Sequence, residues 1–509
     1  MQFDLIDKLR KMDARYKVTA VSTFLWGVVS QGMGLFNKFS VHDDVMNFEV
    51  GATYSSGRWM LDLLGKLETL LFKQGHFSLP LFNGMLAFVL IAASACLIVR
   101  LLEVRNLFFC SFIGGLMAAF PVITSIFGYM FTLHFYMVAL LFAVLGACCV
   151  CLGDTWYLYL AGAVLLGASL GVYQPFFPVG VTLILLYLIS FSAKADDWKV
   201  LLKKALLCGL CLAAALVFYL IVNRAFLTLY GISINYFGVT SMGGASLAEY
   251  LRRAVYTYTE YFYPNINSKY YMYRDRVSII YKAVVLLTVL LSVRMTMKLY
   301  KKNRPNALLC AVLMLLFPVC TNLIIVMAGQ QNVHSVMVYT SLFPFVYCVW
   351  LLDRAEWKPG LLEKSTGFLV TCVCILVLLV FTRYDNMAYL KATYAQQNAI
   401  SYFTTLIAQI KETDGYSDDL PVTFLGEITD SSVSTGDADK IFVRLFPYGS
   451  VDGYLNNYRW KEFMWQWCGY HPTVVSSEGF ADLEEVQAMP HYPDDGSIKV
   501  IDGTVVVNF

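Results

Sequence analysis

Two adjacent carboxylates, Asp43 and Asp44, follow His42 in the run Val41-His42-Asp43-Asp44. Side by side they repel, so one of them readily accepts a proton from a hydroxyl, or both together hold a cation. The same dipeptide also serves as a helix N-cap or a solvated turn. A little further on, Ser55-Ser56-Gly57-Arg58-Trp59 sets Arg58, a guanidinium able to grip a phosphate through two hydrogen bonds, ahead of an amphipathic stretch. There Met60, Leu63, Leu64, Leu67, Leu70 and Leu71 recur at i, i+3, i+4, i+7 spacing, which predicts a helix lying along a membrane surface. Further polar residues stand at the ends of apolar runs: His134, Tyr173 and Gln174, then Gln330, Gln331, Asn332 and His334. Each alone reads as a helix-end group; converging on one face they would line a polar cavity.

Segment 224–276 adds Tyr230, Tyr236, Tyr250, Tyr256, Tyr258, Tyr261, Tyr263, Tyr270, Tyr271 and Tyr273, with Arg252, Arg253, Lys269, Arg274 and Arg276. Aromatic faces stack on sugar rings and cations meet phosphates, so this composition suits a glycolipid headgroup as well as an ordinary interfacial lid.

The elements that must position these residues are membrane helices. Of 509 residues, 58% are hydrophobic and only 15% charged, against roughly 25% charged in soluble domains. Lys+Arg 38 against Asp+Glu 36 leaves no basic excess, and no nucleic-acid partner is proposed. Twelve of the 13 cysteines fall in or beside apolar runs, as small filler, without the spacing of a disulfide framework or a metal site.

At about 20 residues per pass, charge-poor stretches predict eleven spans. These are 18–36, 79–99, two in 107–153 broken near Pro121 and Gly128, two in 155–193 hinged at Tyr173-Gln174-Pro175, 205–223, 277–297, two in 305–352 broken at Gly329-Gln330-Gln331-Asn332, and 365–382. Lys and Arg gather in 1–17, 100–106, 194–204, 294–304 and 353–364, which by the positive-inside rule puts the N-terminus in the cytoplasm and the C-terminus outside. The expected division is a transmembrane catalytic module, 1–382, with outer loops 37–78 and 224–276, and an extracytoplasmic C-terminal domain, 383–509. The latter reads as a small α/β domain: a helix over 385–412, strands at 422–426 and 441–446, and a hairpin of 498–501 and 505–508 around Asp502-Gly503. Trp460, Trp465 and Trp467 would form a carbohydrate platform, seal a core or dock to the membrane.

A short basic lead, one span, the Asp43-Asp44 pair, Gly57-Arg58-Trp59 on an amphipathic helix and the ending Tyr492-Pro493 with Asp495-Gly496-Ser497-Ile498-Lys499-Val500-Ile501-Asp502-Gly503 together resemble the GtrII-type bacterial glucosyltransferases, which decorate O-antigen and related surface glycans. The resemblance implies a polytopic α-helical membrane protein of GT-C-like fold in the bacterial cytoplasmic membrane. It would be an inverting transferase that moves a sugar, glucose by the likeness, from a polyprenyl-phosphate donor to a glycan acceptor on the outer face. It further implies Asp43 or Asp44 as the base and Arg58, with Arg252 or Arg253, as the group that stabilises the leaving phosphate. His134, Tyr173, Gln174, Gln331 and His334 are the expected substrate-binding residues. No metal-binding spacing stands in the sequence, and the likeness leaves a divalent cation open. Two other readings compete: a glycan polymerase or ligase, for which Arg252-Arg253 would be the paired outer arginines, and a lipid-linked glycan transporter, disfavoured by the nearly charge-free spans and the lack of a repeat.

Overall fold

A computed structural model describes residues 10–45, 50–73, 75–234, 240, 242, 244–264, 275–355, 361–426, 428, 441, 443, 445 and 460–509. It divides into two compact units, the first Met1–Lys38 with Asn47–Asn386 and the second Phe39–Met46 with Met387–Phe509.

The first unit is helical. Among the described residues nine helices are long and apolar enough to cross a membrane, and a tenth apolar helix, Trp156–Val172, is shorter. Eight of the eleven expected passes coincide with these elements up to 321, the last pass with the membrane part of Leu361–Glu412, and the first half of 155–193 with the shorter helix. The pass expected after Gln331 is instead a series of 3₁₀ turns followed by the 12-residue helix Phe343–Arg354.

Helix α1 (Ala14–Phe36) carries hydroxyls where it meets a neighbour. Thr19, Ser22 and Thr23 donate to the carbonyls of Cys110, Ser111 and Gly114, at 3.2, 2.7 and 3.2 Å. Such bonds join helices where apolar burial supplies little drive, since lipid tails are as apolar as leucine. The partner helix, α2 (Leu107–Ala119), ends where Phe120 precedes Pro121, which starts α3 (Pro121–Phe127). At the other end of α1, Gln31 accepts from Thr124 Oγ1 at 3.0 Å and donates to the fully buried Asp385 at 3.5 Å, while Ser30 and Thr382 share a 2.7 Å bond.

Asp385 belongs to α4 (Leu361–Glu412), 52 residues long. The sequence reading expects a span ending at 382 and a separate helix from 385. Past Gly367 no glycine or proline interrupts the run, so the backbone ladder continues unbroken.

In the second unit, strands β1 (Val422–Leu425), β2 (Ile498–Ile501) and β3 (Thr504–Asn508) form a sheet in the order β1-β3-β2, with β1 parallel and β2 antiparallel to β3. The expected hairpin turns at Asp502-Gly503, both at positive φ. Val506, Leu425, Ile501, Val486 and Met489 close the core on one face. Of the strand expected at 441–446, only Ile441, Val443 and Leu445 are described, and none is in a strand; 442, 444 and 446 lie outside the described residues. Trp460 is buried, edge-on to Phe424 and Phe509 and stacked on Phe403, so it seals a core.

Candidate active site

Arg58 occupies the N-cap position of the amphipathic helix α5 (Trp59–Phe72). Leu63, Leu67, Leu70 and Leu71 of that helix are exposed, whereas Leu61 and Gly65 are buried and Glu68, one turn on along the same stripe, is largely so. The leucines turn outward, as suits a helix lying in a membrane interface, and a carboxylate turns inward. Two close approaches require glycine. A Cβ on Gly171 would stand 2.6 Å from the Trp59 ring, and one on Gly65 would stand 2.5 Å from Val50 and 3.3 Å from the His76 ring.

The backbone leading into Arg58 is held from two sides, by Gln174 Nε2 donating to Ser56 O at 2.7 Å and by the Tyr219 hydroxyl donating to Gly57 O at 3.0 Å. The guanidinium reaches the Tyr136 hydroxyl through Nη1 at 3.3 Å and lies 5.1 Å from the centroid of the Tyr173 ring. Those two rings are stacked, 4.0 Å apart. A cation over one aromatic face and bonded to a phenol keeps its charge fixed in direction, as an anion site needs.

Ten residues along α5, Glu68 meets two imidazoles, His76 Nδ1 at 2.5 Å and His134 Nε2 at 3.4 Å. Burial pushes the Glu68 carboxyl up, but hydrogen bonds from His134 and His76, with their charges, outweigh it and hold the group below its ordinary value of 4.5. His134 is buried, and its Nδ1 makes no hydrogen bond among the described residues.

The remaining expected residues are dispersed. Arg253 donates to Glu249 Oε1 at 3.1 Å and to the carbonyls of Val326 and Met327, at the C-terminal end of helix Leu323–Ala328. Its neighbour Arg252 is 80% exposed and 3.8 Å from Glu249. Gln331 and His334 are exposed in the turns that follow. Of the residues expected from sequence, Arg58, Tyr173 and Gln174 come together and His134 stands two residues before Tyr136. Arg252 and Arg253 are engaged with Glu249, and Gln331 and His334 are exposed. Lys269, Arg274, Tyr236, Tyr270, Tyr271 and Tyr273 lie outside the described residues, as does the Arg276 side chain.

Asp43 and Asp44 belong to the second unit, on a single 3₁₀ turn, His42–Val45, that opens with His42 at φ 49. That turn is held by Gln466 Nε2 donating to Val45 O at 2.6 Å, and the chain before it by the Gln396 side chain accepting from Ser40 N at 3.3 Å. The two carboxylates are unequal. Asp44 is 1% exposed, whereas the Asp43 side chain is 35% exposed and 3.1 Å from His42 Nδ1. Among the described residues no cluster of three or more His, Cys, Asp or Glu side chains could hold a metal ion.

Sequence reasoning missed Tyr136, Tyr219, Glu68 and His76. For Glu68 a signal existed: Leu61, Gly65 and Glu68 recur at i, i+4, i+7 opposite the leucines, which marks the inward stripe. Tyr136 and Tyr219 stand in apolar runs with no local mark.

Among the described residues stand helices long and apolar enough to cross a membrane and an arginine held on two aromatic groups. The chain belongs to the glucosyl transferase GtrII family, whose profile matches residues 32–345. No curated protein matches it. Among solved structures, the archaeal oligosaccharyltransferase AglB from Archaeoglobus fulgidus, in complex with an inhibitory peptide and a dolichol-phosphate, is similar at 10% identity and a TM-score of 0.32, a likeness too slight to define the fold. The match covers 85% of this chain and 61% of that one, so the chain spans about three fifths of the length of AglB.

Proposed function

We propose that the protein is an inverting GT-C-type transferase. In this reading it moves a sugar, glucose by family, from a polyprenyl-phosphate donor to a surface-glycan acceptor on the outer face of a bacterial cytoplasmic membrane. The observation that carries the reading is the Arg58 guanidinium fixed by the Tyr136 hydroxyl and the Tyr173 ring at the head of an interfacial helix. An arginine at that level suits a lipid phosphate whose tail lies in the bilayer.

The chemistry follows from the residue types. An acceptor hydroxyl oxygen attacks the anomeric carbon as the bond from that carbon to the phosphate oxygen breaks. The hydroxyl proton passes to a carboxylate of the Asp43-Asp44 pair, and the electron pair leaves with the polyprenyl phosphate, whose charge Arg58 offsets. Asp43 is the better base of the two because a substrate can reach it, while Asp44 is enclosed. The donor-side arginine role assigned by the likeness to Arg252 or Arg253 suits Arg253 less, since its donors already serve Glu249 and two carbonyls.

The test is transfer of radiolabelled glucose from synthetic polyprenyl-phosphate glucose to a surface-glycan acceptor by purified protein, beside Arg58→Ala and Asp43→Asn. Transfer by the wild type, lost about 10²–10³-fold in Arg58→Ala, supports the reading. Undiminished transfer by Arg58→Ala removes the anion site from the mechanism.

A further inference from the structure

The contacts of Arg58 leave one part of its setting unexplained. Gln174 and Tyr219 fix the backbone before it, while the guanidinium meets the Tyr173 ring and the hydroxyl of Tyr136, and Tyr136 is on a different helix, α6 (Leu133–Leu152). Tyr136 stands in the first turn of α6, and the N-cap residue there, Thr132, makes no side-chain capping bond. The first turn of an uncapped helix is the part most prone to fray. A side-chain contact to another helix anchors it: His134 Nε2 to Glu68 Oε1, 3.4 Å. Glu68 lies on the same helix that Arg58 heads, and its other oxygen is tied at 2.5 Å to His76, whose Nε2 also meets Thr69 Oγ1 at 3.4 Å. The interfacial helix α5 is therefore strapped to the start of α6 at two points, Arg58 to Tyr136 and Glu68 to His134.

We infer that Glu68, acting through His134, is a positioning residue for the Arg58 anion site: by pinning the first turn of α6 it sets where the Tyr136 hydroxyl holds the guanidinium, and so how tightly a lipid phosphate binds. This rests on the reading of Arg58 as the phosphate-binding group. Glu68 itself touches neither phosphate nor sugar in this scheme; its effect reaches the ligand only through Arg58.

A double-mutant cycle on phosphate binding separates this role from a merely structural one, because coupled residues fail to add. The probe is a short-chain polyprenyl phosphate without sugar, titrated against purified protein in nanodiscs, for wild type, Glu68→Gln, Arg58→Ala and the double variant, with thermal unfolding measured on each. Glu68→Gln keeps the shape and removes the charge. The expected result is a loss of about tenfold in affinity from Glu68→Gln in the wild-type background and no further loss in Arg58→Ala, with His134→Asn reproducing the pattern and Glu68→Asp recovering part of the affinity. Equal losses in both backgrounds, or none in either, would overturn the positioning role while leaving the Arg58 reading intact. Binding by Arg58→Ala as tight as by the wild type would overturn both. If Glu68→Gln fails to fold, His134→Asn carries the same cycle.

Discussion

Two imidazole–carboxylate pairs, one in each unit, show how the same chemistry is built in two ways. His42 and Asp43 are neighbours in sequence, 3.1 Å apart on one 3₁₀ turn, with the carboxylate 35% exposed. His134 and Glu68 come from different helices, with both side chains enclosed and a second imidazole, His76, on the same carboxylate. The carboxylate of the first pair is partly accessible; that of the second is enclosed between two imidazoles. Exposure, more than residue type, divides a carboxylate that can do chemistry from one that holds a shape.

The largest expected effect breaks the comparison at its exposed side. Asp43→Asn should lower the rate of sugar transfer by about 10²–10⁴-fold with polyprenyl-phosphate binding unchanged, whereas Glu68→Gln should act on binding and leave the transfer rate at saturating donor within a few-fold. A Glu68→Gln protein with full affinity and a collapsed rate would reverse the two roles. Smaller is the expected effect of Gly171→Ala. The added methyl would meet Trp59 at 2.6 Å, and overpacking of that kind costs about 1–3 kcal/mol; a denaturation midpoint equal to the wild type would show that the ring has room to move.

The smallest effect concerns pH and sharpens the contrast. Glu68 is held below its ordinary value of 4.5 in the folded protein, so its ionised form stabilises the fold above that pH. The contribution is lost as pH falls through the lower folded-state value. Unfolding midpoints of the wild type and Glu68→Gln should therefore differ at neutral pH and converge below about 4.5. Curves that stay parallel down to pH 3 would mean that the carboxylate contributes nothing through its charge.

Much of the fold was legible because lipid imposes a simple rule: an apolar run of sufficient length must satisfy its own backbone bonds, and a helix does so. The two hinges at Phe120-Pro121 and Tyr173-Gln174 were marked by proline, and the final hairpin by Asp502-Gly503. The 52-residue α4 was legible only in part. Hydropathy falls after Thr382 while nothing in the sequence breaks the helix, and a change of solvent is easily taken for a change of element. Trp460 illustrates the opposite case, where a residue type compatible with a sugar platform proved to be core because three aromatic rings surround it.

For the site, the sequence by itself determined the chemistry on offer: an aspartate pair after the first span, an arginine at the head of an amphipathic helix, and the family to which those motifs belong. Only the tertiary structure decided which groups act on which. It buried Asp44 and left Asp43 open, engaged Arg253 with Glu249 and two carbonyls, and brought Tyr136, Tyr173 and Gln174 to Arg58 and its turn from far along the chain. The physical reason is that burial and hydrogen-bond direction are properties of packed helices. An isolated segment exposes Asp43 and Asp44 alike, and the apolar run holding Tyr136 gives no sign of which face will meet a guanidinium.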